Sequence, residues 1–284
     1  MERPESTKSR LKIFVRIRPN PEGSGEEIAT TENNALFLKD VSSNRANEFY
    51  FDRVMDKHVQ QKEVYEDVGA PLVNHVLGGY NACCFAYGQT GSGKTYTMFG
   101  EETGAWEKRG VIPLAVESLF AEVQRMEMEH SVIVKMSVSF MEIYLDHVRD
   151  LGRASLANLP PEARPQSARD TPKSRPPSGR PPSGRSTNSA TGTTEEPYDH
   201  TAQSLEVQED ADGNVKVKDL TQIMVTSAAQ VMDIVKAGLN LRQTHATQLN
   251  DVSSRSHTVF TLTIAQQRSG ARLDSDTVVG RLNL

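Results

Sequence analysis

The 284-residue sequence predicts an α/β sandwich, and three features of the chain carry that prediction. Ala82 to Tyr87 is a short apolar run, the pattern of a strand covered on both faces. It leads straight into Gly88-Gln89-Thr90-Gly91-Ser92-Gly93-Lys94-Thr95. This octet fits GxxxxGK[ST], whose glycines let successive backbone N–H groups turn inward around an anion. Segments of strand spacing and of helix spacing alternate on either side of it, as they do where helices cover a sheet. In such a loop Lys94 would reach the β- and γ-phosphates as a point charge, and the Thr95 hydroxyl would ligate Mg²⁺. Charge-assisted hydrogen bonds contribute about 1.5–3 kcal/mol each, so a handful around one triphosphate reaches micromolar binding. A glycine-rich turn without a ligand is the plainer reading, and the apolar run before the octet argues against it.

Each element follows from local pattern. Leu11 to Pro19 holds the alternation Ile13, Val15, Ile17 and reads as a first strand stopped by proline, with Arg16 and Arg18 on the other face. Ala35–Leu38 and Glu48–Phe51 read as two further strands of a small β region. From Gln60 to Leu77, Val64, Val68, Leu72 and Val76 recur every fourth position, predicting an amphipathic helix that ends at Gly78-Gly79. Pro71 in its middle predicts a break or kink. Glu101 to Gly110, with the only tryptophan, Trp106, reads as a surface loop. Ile112, Val116, Leu119 and Val123 then give helical spacing with Pro113 in the first turn, where its missing N–H costs nothing. Ser131 to Tyr144 is a long strand with Val132, Val134, Met136, Val138 and Phe140 on one face.

Residues 152–203 change character, being rich in proline, serine, threonine and arginine and repeating Arg-Pro-Pro-Ser-Gly at 175–179 and 180–184. Such a segment cannot bury enough apolar surface to order itself and is expected to be a disordered insert. Lengthening a loop from ~6 to ~50 residues costs roughly 2 kcal/mol of closure entropy, which a domain of this size tolerates. Structure is expected to resume with strands at Leu205–Val207 and Val215–Val217 around the hairpin signal Asp212-Gly213. Ser227 and Gln230 form a predicted capping box before Val231, Ile234 and Val235 of a helix. Strands at Thr258–Ile264 and Val278–Leu284 close the chain.

Composition narrows the classes of function. The hydrophobic fraction of 37% supports a substantial core, in one large domain or two small ones. A net charge of −5 does not suit a global nucleic-acid binder. Met1 to Arg10 is polar, without the apolar stretch of a secretory leader, and no run approaches the ~18 residues that span a bilayer. A cytosolic protein with neither nucleic-acid nor membrane partners is therefore expected. Cys83 and Cys84 are adjacent in the apolar strand, so a disulfide framework is ruled out by count.

A second polar cluster, Asn250-Asp251-Val252-Ser253-Ser254-Arg255-Ser256-His257, runs directly into an apolar strand. Three hydroxyls and an arginine there could supply a second Mg²⁺ ligand and orient a water. A serine-rich turn that caps the strand is the bland alternative.

Taken together, VRIRP at 15–19, YNACCFAYGQTGSGKTYTM at 80–98, RGVIP at 109–113, MEIY at 141–144 and NDVSSRSH at 250–257 resemble the kinesin motor domain. The resemblance covers residues 11–284 apart from the insert, with 1–10 as a flexible start. It implies a P-loop NTPase in the form of a three-layer sandwich, with a central mixed sheet flanked by helices. It also implies a microtubule-dependent ATPase that uses ATP and Mg²⁺, binds tubulin, and works in the cytoplasm on the microtubule cytoskeleton. Residue by residue, Arg16, Arg18, Pro19 and Tyr96 look like the platform and walls for adenine, and Gly88, Gln89, Thr90, Gly91, Ser92, Gly93, Lys94 and Thr95 hold the phosphates. Ser254 looks like a switch I ligand of Mg²⁺ beside Thr95, Ser253 like a partner of the attacking water, and Arg255 like half of an ion pair that closes the site. Asn250 would help to hold the γ-phosphate region. In this family the chain continues past the position of Leu284 into a DxxGxE switch II and the helices that grip tubulin, so an incomplete motor domain is expected. A non-catalytic nucleotide-binding or microtubule-interacting protein is the competing reading. A guanine-specific switch would need an NKxD-type run, and the sequence has none.

Overall fold

The structure is a computed structural model, and it describes residues 11–20, 28–40, 45–101, 106–130, 132–165, 204–211, 213, 215–248, 256–268 and 277–284. Two compact units emerge, Met1–Val134 with Gln266–Leu284, and Lys135–Ala265.

In the first unit, β1 (Phe14–Arg16) lies parallel to β5 (Arg53–Met55), with Val15 opposite Val54. The strand predicted over Leu11–Pro19 is reduced to three residues. Between these two strands, β2 (Ala29–Glu32), β3 (Ala35–Lys39) and β4 (Ala46–Tyr50) form an antiparallel meander. Its first turn places Asn33 at φ +52, a conformation that asparagine tolerates well.

The helical stretch that follows has three parts: α1 (Gln61–Val64), a π-helical segment (Tyr65–Gly69) and α2 (Ala70–Leu77). Proline removes a backbone donor, and the wide turn before it lets Pro71 fall in the first turn of α2, where no donor is needed. The extra residue of a π turn also rotates everything after it. Val64 and Val76 are buried as expected, but beyond the turn Val73 is buried in place of Leu72. Gly79 turns the chain out at φ +85. From there β6 (Asn81–Cys83) lies parallel to β13 (Thr277–Asn283), with Ala82 opposite Leu282. A Cβ on Gly280 would stand 2.1 Å from the Val76 carbonyl oxygen, so only glycine lets β13 pass the end of α2.

The apolar run at 82–87 is not the covered strand that its composition suggests. Its last ladder bond is Cys84 N–H to the Asn283 carbonyl, and beyond it Phe85 is 74% and Tyr87 96% exposed. Among the described residues β6 has β13 on one side and no strand on the other, so its outward residues have nothing to pack against. Cys83 is exposed as well, while burial pushes the half-buried Cys84 thiol up to about 11.

The phosphate-loop octet leads into α3 (Lys94–Phe99), and α4 (Val111–His130) follows a 3₁₀ turn at Trp106–Lys108. All four residues used to predict α4, Ile112, Val116, Leu119 and Val123, are buried.

The second unit takes in β7 (Val132–Tyr144) from Lys135 onward, and β7 turns through Leu145 and Asp146, both at positive φ, into β8 (His147–Asp150). β11 (Ile223–Val225) is antiparallel to β7, and β12 (Ser256–Arg268) flanks β7 on the other side. Phe140 and Phe260 meet edge to face at 5.9 Å inside this sheet's core. The hairpin forms, with β9 (Val207–Glu209), two residues later than the expected Leu205–Val207, against β10 (Val215–Val217) as predicted, and Gly213 at φ +80.

The insert does not begin at 152. Residues Leu151–Asn158 form a helix, α5, with the Asp150 side chain accepting from the Arg153 N–H at its start and Leu151, Gly152 and Ser155 buried. It packs on α6 (Ala228–Gln248). A Cβ on Gly238 would stand 2.3 Å from the Phe140 ring, which explains a glycine inside α6 despite its poor helix propensity. The capping box of α6 is half formed: Ser227 Oγ accepts from Gln230 N–H, but Gln230 reaches back to Thr226 N–H. Residues 166–203, the greater part of the predicted insert, lie outside the described residues.

Candidate nucleotide site

The phosphate loop is built as the spacing of its glycines requires. Gly91 and Gly93 sit at φ +79 and +99, where a side chain would be strained, and Gly93 opens α3. A Cβ on Gly88 would stand 2.5 Å from Ser92 Oγ, so the loop closes on its own serine. Lys94 folds back along it, its Nζ donating to the carbonyl oxygens of Gly88 at 2.7 Å and Gln89 at 3.0 Å. The ammonium is thus held at the mouth of the loop, on acceptors that an incoming phosphate would replace with full negative charge. Thr95 is exposed in the first turn of α3, and Gln89 and Thr90 are exposed at the tip.

Around the loop the structure gathers Arg16, Arg18 and Tyr96. Arg18 donates from Nη1 to the Gly91 carbonyl oxygen. Arg16 lies with its guanidinium carbon 5.3 Å from the centre of the Tyr96 ring, a cation–π distance. Its Nη1 donates to Gln61 Oε1 at 2.7 Å and to Thr97 Oγ1 at 3.0 Å. Burial lowers the Arg16 pKa from the ordinary arginine value, with Tyr96 opposing the shift. Pro19 is exposed just beyond Arg18. Asn250, Ser253, Ser254 and Arg255 lie outside the described residues.

Two positioning residues had no warning in the sequence. Gln61, only 2% exposed, takes the Arg16 donor on Oε1 and gives Nε2 to the Tyr96 carbonyl oxygen at 2.6 Å. Thr97 receives the same guanidinium from α3. Together they lock Arg16 against α3 and so fix the wall beside the loop. We expect Gln61→Ala to leave a half-buried guanidinium short of an acceptor and to cost about 1–3 kcal/mol, read as a lowered midpoint in urea unfolding with unchanged slope. An unchanged midpoint would show that Gln61 is dispensable.

A family profile described as "Kinesin motor domain" matches residues 3–284. The chain belongs to that family. The kinesin-like protein KIN-14D of Arabidopsis thaliana is 33% identical over 91% of the chain, and KIF3C of Bos taurus 30% identical over 96%. These matches cover 29% and 30% of the two relatives, so the chain spans under a third of their length. Among solved structures, that titled "Structure of a fast kinesin: Implications for ATPase mechanism and interactions with microtubules" matches with TM-score 0.72 and 29% identity, over 96% of this chain and 64% of its own. The α/β class with a mixed sheet and flanking helices expected from the sequence is therefore established. Kinesin motor domains in general bind nucleotide with Mg²⁺ and are microtubule-stimulated ATPases.

Proposed function

We propose that this chain is the nucleotide-binding part of an ATP-driven microtubule motor. The observation that carries the reading is the loop Gly88–Thr95 with Lys94 anchored at its mouth and Arg18 bracing Gly91. Phosphoryl transfer needs little covalent chemistry from a protein; it needs charge and position. Lys94 would exchange its two carbonyl acceptors for phosphate oxygens. Arg16, braced by Gln61 and Thr97, would hold the Tyr96 side of the base pocket, with Arg18 and Pro19 next to it. The residues present suit a divalent cation, since Thr95 offers an exposed hydroxyl beside the loop and Ser254 is the second candidate ligand. Mg²⁺, held by those hydroxyls, would supply positive charge to offset that of the phosphates. Ser253, Arg255 and Asn250 are assigned to water orientation and closure through the family resemblance. Tubulin would be the partner and the cytoplasmic microtubule array the location. The test is phosphate release by the full-length protein with and without microtubules: stimulation of tenfold or more is expected, and none would favour the non-catalytic reading.

The sequence between 160 and 190 modulates this reading. It carries Arg164, Arg169, Lys173, Arg175, Arg180 and Arg185 against Glu162 and Asp170, six positive and two negative, or +4. Exposed charges act over about 8 Å at physiological salt, so such a segment should raise encounter with an acidic tubulin surface. Deleting 166–190 from the full-length protein, which removes five positive charges and one negative, is expected to weaken microtubule co-sedimentation a few-fold at low salt, with the difference fading as salt rises. Superimposable salt curves would make the segment an inert spacer.

A further inference from the structure

Along β7 the residues Met136, Val138, Phe140 and Glu142 share one buried face, so a carboxylate stands where the pattern calls for a fourth apolar side chain. Glu142 is 1% exposed, and a buried charge is retained only where something opposes it. Two arginines do. Arg149 Nη1, from β8, is 3.8 Å from Oε2, and Arg242 Nε, from α6, is 3.8 Å from Oε1. Neither distance is a hydrogen bond, and Oε1 has no hydrogen-bond partner. Arg242 spends its donors elsewhere: Nε and Nη2 donate to Ser256 Oγ at 3.2 and 3.1 Å, and Nη2 to the Ser256 carbonyl oxygen at 3.4 Å. Ser256 is the first residue of β12 and directly follows Arg255. One guanidinium therefore ties the start of that strand to α6, and the charge that opposes its own comes from β7.

We propose that Glu142 and Arg242 are positioning residues for the ATPase reaction, acting through Ser256 to fix the strand end that follows Ser253, Ser254 and Arg255. The inference rests on the nucleotide-site reading above. Without Glu142, Arg242 faces Arg149 with no counter-charge between them and leaves its place; without the Ser256 hydroxyl it has less to hold. Both losses act through the same side chain, so they cannot add independently.

The experiment uses the full-length protein and the variants Glu142→Gln, Ser256→Ala and the two combined. Three readouts are taken: amide hydrogen exchange of residues 256–260, kcat and KM for ATP in the presence of microtubules, and equilibrium binding of a fluorescent ATP analogue. Each single substitution is expected to speed exchange at 256–260 about tenfold by easing local opening. Each should also lower kcat by a similar factor while KM and analogue affinity stay within about threefold. The double variant should be no worse than the poorer single one. Effects that multiply to about a hundredfold, or single variants indistinguishable from wild type, overturn the proposal. Should Glu142→Gln not fold, Ser256→Ala with Arg242→Lys supplies the same cycle, since a lysine keeps the charge but loses the planar fork. Failure of the nucleotide reading would look different, because the wild-type protein would then bind no ATP analogue.

Discussion

Replacing Lys94 by alanine is expected to weaken ATP binding at least a hundredfold. The ammonium is already at the loop mouth, on the Gly88 and Gln89 carbonyl oxygens, and its removal leaves clustered phosphate charge opposed only by backbone dipoles and the more distant Arg18. Hydrogen bonds between charged partners contribute about 1.5–3 kcal/mol each, so losing two or so moves a micromolar site out of range. The fold should survive, because the side chain is partly exposed and no buried acceptor depends on it alone. Equilibrium titration with a fluorescent ATP analogue at fixed Mg²⁺ reads the loss, and thermal unfolding confirms that the variant is folded. Unchanged affinity in a folded Lys94→Ala protein would remove the phosphate-loop assignment. Arg18→Ala should do less, since that side chain braces the Gly91 carbonyl from an exposed position and the loop's own glycines keep its shape.

What could be read from the sequence divides along physical lines. The phosphate loop was legible because its residues are contiguous and its glycines are demanded by backbone geometry at Gly91 and Gly93. The brace behind it was not, because Arg16 meets Gln61 and Thr97 across 45 and 81 residues of chain, and no local pattern marks a glutamine as a buried acceptor. Elements long enough to show a period were found: β7 near its true bounds, α4 and α6 at their starts, and β12 over seven interior residues. Among the strands of three or four residues, β9 and β10 were marked by the Asp212-Gly213 turn signal between them, while β2, β5, β8 and β11 had no such signal and were missed, because alternation over so few positions is by itself indistinguishable from chance. The exposure of Phe85 and Tyr87 shows the opposite failure: hydrophobicity was read as burial where, among the described residues, the strand has no neighbour on one side. Glu142 hid in plain sight, since a single carboxylate at the end of an apolar row reads as the edge of the strand rather than as its most constrained position.

A protein ending at Leu284 is expected to bind nucleotide but to turn over ATP at least a hundredfold more slowly than one extended by roughly 100 residues, a span taken from ordinary domain size. In the first unit β1 is paired only with β5, and β6 only with β13, among the described residues. β1 and the residue after it are thus joined to the loop that follows β6 and to α3 by Arg16 and Arg18 rather than by a shared ladder. Leu11, Ile13, Tyr80, Phe85 and Tyr87 are left exposed beside those two strands. Hydrolysis has its own requirement. By the family resemblance, a switch II glycine and acid close on the γ-phosphate and pair with Arg255, and without that half of the frame the developing charge and the attacking water are poorly held. Ground-state binding depends on the loop at 88–95 and should change little. Turnover with saturating microtubules, analogue affinity and binding of a hydrophobic dye, measured side by side on residues 1–284 and on the extended chain, separate the two effects. A short chain with equal turnover, a single cooperative melt and no extra dye binding would mean that the site and the sheet are complete without the extension.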